Sequence, residues 1–320
     1  MNTAVYLPFL AAVLMAVCCR PATARLAPRL AVWATTVCAV VVAASGVGAL
    51  VVLASPVAAE VPLVAQLGRW RPGTVAAHTP VPWTISLLAA GLLAAVAIRL
   101  VRAAAALGRE SVSAWRVTRA VREVGAAAVT VVDDDVPYAH AVGLGLRRYG
   151  AVVVSSALVD LLDAEERAAV IAHERGHLRQ GHTAVAAVMR LAVAMNPLLG
   201  VVERDVRFGL ERCADEAAAA TTGRPVTASA IAKAALAQSS ASEGRRGRRG
   251  RGRRRDGEPA LTFHRHDTAA RVGALLASPT TGRRSVWLLA ALGVASCAAL
   301  ALATHDTERF YEAVRIWSQH

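Results

Sequence analysis

Residues 173–177 read His-Glu-Arg-Gly-His. On a helix, His173 and His177 stand one turn apart on one face, where two imidazoles can hold a single metal ion. This is the H-E-x-x-H pattern, and zinc is the ion it points to. Glu174, beside the first histidine, is placed to take a proton from water at such a centre. Two ligands leave the site incomplete, because a catalytic zinc has three protein ligands and one open position. The run Glu211-Arg212-Cys213-Ala214-Asp215 supplies the best third ligand, Glu211. Asp215, one turn further on the same face, can accept the outer N–H of a ligand imidazole and so set its tautomer and orientation. One Zn2+ per chain is therefore expected, on His173, His177 and Glu211. His182 points off the ligand face and Cys213 lies on another side of its helix, so neither is read as a ligand.

These residues need two helices held against each other. Asp163 followed by Glu166 forms a D-x-x-E capping box, a helix start. The patterning predicts helices at about 103–124, 157–162, 164–180, 183–196, 199–221, 226–239 and 267–277. Strands are predicted at 128–132, 138–144 and 151–155, with a turn at 147–150. Residues 240–259 are rich in Ser, Gly and Arg and lack apolar periodicity, which predicts a disordered loop. The apolar run Ala184–Val202 contains Arg190 and Pro197. It is read as a core or membrane-interface helix, since one crossing of a bilayer would part His177 from Glu211.

The composition places this unit in a membrane protein. Apolar residues make up 55% of the 320 and charged residues only 18%, where soluble domains carry about 25% charged. Disorder throughout and a disulfide scaffold are excluded, and no C-x-x-C pair offers a zinc ribbon or a redox site. Met1–Cys19, Leu30–Ala59, Val81–Ile98 and Ser285–Thr304 hold no charged side chain, and about 20 apolar residues cross a bilayer. Four spans are expected, at about 3–19, 30–54, 81–101 and 285–304. Arg20, Arg25 and Arg29 follow the first, six arginines from Arg99 to Arg122 follow the third, and Arg283 and Arg284 precede the fourth. The positive-inside rule then puts residues 103–284 in the cytoplasm, with both termini outside. The fold class is thus a mainly α membrane protein with a cytoplasmic α+β zincin-like domain between spans three and four, and a short external tail at 305–320.

The net charge of +13 is concentrated, with eight arginines between Arg245 and Arg255. No aromatics interleave there, so attraction to anionic headgroups accounts for the cluster better than nucleic acid does. The scarcity of lysine beside arginine fits GC-rich coding.

The motifs resemble the BlaR/MecR sensor-transducer membrane peptidases, which are gluzincin-type enzymes related to the heat-shock membrane protease and the CAAX prenyl endopeptidase. The likeness covers about residues 130–280. It runs through Tyr138-Ala139-His140-Ala141, Ser155-Ser156-Ala157-Leu158, His173–His177, Asn196-Pro197-Leu198, Glu211–Glu216, and Arg271 with Leu275 and Leu276. His140 stands where Phe is usual, and Ala157 where Gly is usual. The resemblance implies a zinc metalloendopeptidase in a bacterial plasma membrane that cleaves a cytoplasmic protein. It implies a BlaI/MecI-type winged-helix repressor as partner, beside the lipid bilayer itself. The tail has no S-x-x-K motif, so direct acylation by a beta-lactam is not expected.

Two other functions fit the same residues. One is quality control of membrane proteins; the other is a non-catalytic sensor stabilised by zinc. An extended substrate backbone is expected to pair with the strand at 151–155 or its neighbour at 138–144. His264 and His266 are the sequence's candidates for oxyanion contacts.

Overall fold

The structure, a computed structural model, describes residues 3–23, 26–71, 73–123, 129–143, 150–248, 259–277 and 284–318. A 3-10 turn at Thr3–Tyr6 leads into α1 (Leu7–Thr23), followed by α2 (Pro28–Ala59), α3 (Pro62–Gly68), α4 (Thr74–His78) and α5 (Trp83–Glu123). Three strands come next: β1 (Val129–Val132), β2 (Ala139–Gly143) and β3 (Gly150–Ser155). The rest is helical: α6 (Ser156–Leu161), α7 (Ala164–Gln180), α8 (His182–Met195), α9 (Gly200–Thr222), α10 (Arg224–Arg248), α11 (Pro259–Leu276) and α12 (Arg284–Trp317).

Among the described residues, three helices are long and apolar enough to cross a membrane: Pro28–Ala59, Trp83–Ala120 and Val286–Trp317. The expected first span is a shorter apolar helix, Ala4–Arg20. α2 and α12 lie side by side and run the same way. Cys38 Sγ meets the Leu289 carbonyl, Val41 lies against Gly293, and Gly48 against Leu300. Neither long flanking helix stops where the apolar run stops. α5 continues unbroken into the region before β1, and α12 continues through residues 305–317. That tail packs on the segment between α2 and α5, with Trp70 against Tyr311 and Arg315 donating to the Gly68 carbonyl.

The sheet order is β1-β3-β2, with β1 parallel and β2 antiparallel to β3. β3 is therefore central and paired along both edges. The expectation that a substrate could add to 151–155 is corrected by this order, since those backbone groups are already used; β2 is the strand with a free edge toward α7. One face of the sheet buries Val152 and Val154 with Leu158 and Leu162, against Val170, Ile171 and Leu178 of α7. Ser155 begins α6 as its N-cap, accepting from the Leu158 N–H.

One further expectation changes. Residues 240–248 continue α10 as helix, while 249–258 of the expected loop lie outside the described residues. The alanine-rich composition ahead of the arginines carries the helix onward, where the lack of apolar periodicity predicts a loop. The run Ala184–Val202 is a helical hairpin: α8 ends at Met195, Asn196 accepts from the Leu198 N–H, and a 3-10 turn at Pro197–Leu199 leads into α9. Proline stops the first helix, and the asparagine caps the reversal.

The hairpin packs among the apolar helices and not beside them. Val185 and Met189 of α8 and Leu199, Val202, Val206 and Leu210 of α9 share one buried cluster with Met15 of α1, Val32 and Val42 of α2, and Leu289 of α12. At the other end of α7, buried Glu166 closes the Asp163 capping box and receives Ser229 and Lys233 from α10. Asp163→Ala removes the cap and is expected to cost about 1 kcal/mol, read as a lower melting temperature of the purified protein in detergent.

Candidate metal centre

α7 carries His173, Glu174, Gly176 and His177, and α9 carries Glu211 and Asp215. The two helices approach closely because Gly176 has no side chain. A β-carbon there would lie 3.3 Å from the Ala214 Cα and 3.2 Å from the Ala217 Cβ. The small residues Ala214, Ala217 and Ala218 complete the seam on α9.

Across this seam His173 Nε2 and His177 Nε2 lie 3.1 Å apart. Each is 3.6 Å from a Glu211 carboxylate oxygen. The three donors lie within 4.8 Å of one another. A tetrahedron with bonds of ~2.0–2.1 Å has edges of roughly 3.3 Å, so the two imidazole nitrogens and one carboxylate oxygen fit a zinc ion. The three expected ligands come together, and no further donor joins them among the described residues.

Each candidate ligand is held from behind. His173 Nδ1 lies 3.0 Å from Asp215 Oδ1. Asp215 is itself gripped by Arg271 of α11 through two bonds, Nε to Oδ2 at 2.8 Å and Nη2 to Oδ1 at 2.7 Å. Arg271 Nη1 also reaches Glu211 Oε2 at 3.0 Å. One guanidinium thus fixes both carboxylates in a planar fork. Its role carries only a faint sequence signal, since 56 residues separate it from Asp215.

His182, read from the sequence as no ligand, has a role that the sequence did not show. It is not among the three converging donors, but its Nδ1 lies 2.7 Å from the outer nitrogen, Nδ1, of His177. Gly181 makes this contact by ending α7 in the left-handed conformation, φ +67, which folds the next residue back on the helix just finished. A metal held by His177 Nε2 would leave the proton on Nδ1, with His182 as its acceptor. The usable signal was the glycine at 181 after a helix-length run.

The charge state of the cluster suits a cation. Burial resists charge on His173, but Asp215 and Glu211 outweigh it and raise the imidazole to about 9. Burial also resists the Glu211 carboxylate, yet His173, Arg271 and His177 hold it down at about 2. The site favours one positive charge between these groups, the place a metal ion would take. Burial keeps His177 and His182 neutral, both lowered to about 4. Burial also pushes Glu174 up to about 7, and its Oε2 accepts the Ala141 N–H of β2 at 2.7 Å.

His140 is exposed on β2 and stacked on Tyr138, with ring centroids 5.4 Å apart. The side chains of His264 and His266 lie outside the described residues.

A family model described as peptidase family M48 matches residues 114–245. No curated protein and no solved structure matches the chain. The matched segment holds the three strands, α7 and α9, and so every residue of the cluster except Arg271. It supports the M48 metallopeptidase family, whose members act through a bound metal, usually zinc; the narrower BlaR/MecR likeness rests on the motifs alone.

Two substitutions test this geometry through metal affinity, measured by competition with a chelating dye. His182→Phe leaves the His177 N–H buried without an acceptor and is expected to weaken zinc binding by about 10–100-fold; His182→Asn, which keeps an acceptor, should lose less. Gly176→Val drives a side chain into the α9 backbone, so it should lose both zinc affinity and about 1–3 kcal/mol of stability.

Proposed function

We propose that this chain is an integral-membrane zinc endopeptidase in which His173, His177 and Glu211 hold the ion, Asp215 orients His173, and Glu174 is the general base. The observation that carries the reading is the position of Glu174. Its carboxylate lies between a three-donor cluster and the backbone of an edge strand. A purely structural zinc site is closed by four ligands and needs no such base.

Zinc bound there supplies Lewis acidity, polarising a peptide carbonyl and acidifying water. The chain's own residues do the rest. The Ser155 N–H donates to the Tyr138 carbonyl. By antiparallel alternation His140 and Val142 then face β3, and the backbone groups of Ala139, Ala141 and Gly143 point outward. An extended substrate lying along β2 would meet those outward groups and compete for the Ala141 N–H, releasing the Glu174 carboxylate. Raised by burial to about 7, Glu174 can accept a proton from the attacking water on Oε2 and return it to the leaving amine. Arg271 keeps Glu211 and Asp215 ionised throughout.

The membrane helices and the likeness to the BlaR/MecR peptidases favour cleavage of a cytoplasmic repressor of the BlaI/MecI winged-helix type, with the domain on the cytoplasmic side and both termini outside. Quality control of membrane proteins is the second reading.

Purified wild type and Glu174→Ala, compared in detergent, test the proposal. Equal zinc in both is expected, with cleavage of a denatured casein-like substrate or of a co-expressed repressor reduced by about 10²–10⁴-fold in the variant. Cleavage of the repressor alone supports the relay, and broad cleavage supports quality control. Absence of stoichiometric zinc from the wild type sinks the metal site.

A further inference from the structure

The α8–α9 hairpin has two unlike faces. The inner face is buried: Leu199 at the turn shares a core with Ala11, Ala12 and Met15, the middle of α1. The outer face is apolar and uncovered. Val188 is 40% exposed, Leu198 at the turn 50%, and Val201 42%. α1 continues this surface with its own exposed aliphatics, Val13, Leu14 and Val17.

Several backbone groups at the turn find partners within the protein. Helix ends leave carbonyls free, and in hydrocarbon each must find a partner within the protein. Arg99 supplies it for α8, donating from Nε to the Ala194 carbonyl and from Nη2 to the Val193 carbonyl. Arg99 is the first charged residue after the uncharged run Val81–Ile98 of α5, so its stem starts at the edge of an apolar span. The Asn196 side chain accepts the Leu198 N–H, and the Asn196 carbonyl accepts the Leu199 N–H. From Thr183 to Val202 the only charged residue is Arg190, and it is paired with Glu110 of α5.

We propose that the tip of this hairpin enters the bilayer, with lipid acyl chains as the partner of Leu198 and Val201. The occupant follows from continuity: the hairpin's other side is packed on α1, α2 and α5, so what surrounds those apolar helices at this level also surrounds the tip. A water-facing loop would not need an arginine to close its carbonyls, and would not present Leu198 and Val201 uncovered. Glu211 lies ten residues beyond Val201 on the same helix, about 15 Å along its axis. The metal cluster therefore works at the membrane surface, on a helix whose first turns are held by lipid. This inference does not rest on the peptidase reading.

The test uses the full chain in lipid nanodiscs, with p-trifluoromethylphenylalanine replacing Leu198 and read by fluorine NMR. Relaxation is compared between a nitroxide on the lipid acyl chain and a water-soluble gadolinium chelate. Leu88, 64% exposed on α5, and Leu236, 68% exposed on α10, carry the same probe as references. The expected result is that the probe at 198 broadens like that at 88, several-fold more with the lipid label than with the chelate. Broadening like that at 236 would show a water-facing turn and overturn the proposal. Broadening by neither agent would mean that a second copy of the chain covers the patch, and would overturn it equally. Val201, given the same probe, reads the same surface if the Leu198 variant does not fold.

Discussion

Between Gly176 of α7 and Ala214 of α9 there is almost no room for a β-carbon, and that close approach is what lets two histidines on one helix meet a glutamate on another. Ligand atoms must converge to within a few ångströms, whereas helices carrying ordinary side chains pack at about 8–10 Å between axes. The glycine between the two histidines brings α9 close enough for Glu211 to sit 3.6 Å from both imidazoles. Like-charged carboxylates at such a seam would repel, and Arg271 resolves this by binding Asp215 and Glu211 with one planar group.

The seam ties the site to both halves of the molecule. α7 is anchored to the sheet by Val170, Ile171 and Leu178, and to α10 by the Glu166–Lys233 pair. α9 is anchored in the core it shares with α1, α2, α8 and α12. The ligands on α7 therefore belong to the sheet side, and the third ligand belongs to the side of the apolar helices. α2 meets α9 at Val32, which lies against Gly209 two residues before Glu211.

Much of this was legible in the sequence, for reasons that can be named. The ligand types and their i, i+4 spacing are local, as is the capping box at Asp163, and both survive into the structure as read. The strands at 129–132, 139–143 and 150–155 followed from short apolar runs between turn residues. The uncharged runs predicted four spans, and three of them form long membrane-type helices among the described residues, since hydrocarbon thickness sets a length that sequence can meet or miss. The fourth run, at the start of the chain, forms a shorter helix than the others.

What tertiary structure alone decided concerns partners distant in the chain or concealed by a turn. Strand order is one: the three strands read alike in sequence, but β3 is enclosed between the other two, and only β2 has a free edge toward Glu174. Arg271 is another, brought by α11 to a carboxylate far upstream. His182 is the clearest case. Helical spacing placed it off the ligand face, and it is not among the converging donors; what spacing could not show is that the helix ends at Gly181, whose positive φ turns His182 back onto the outer nitrogen of His177. Periodicity holds only while the helix continues. Residue types and local spacing determined which chemistry the chain can carry, while chain reversals and helix contacts, which depend on distant residues, decided which groups hold that chemistry in place.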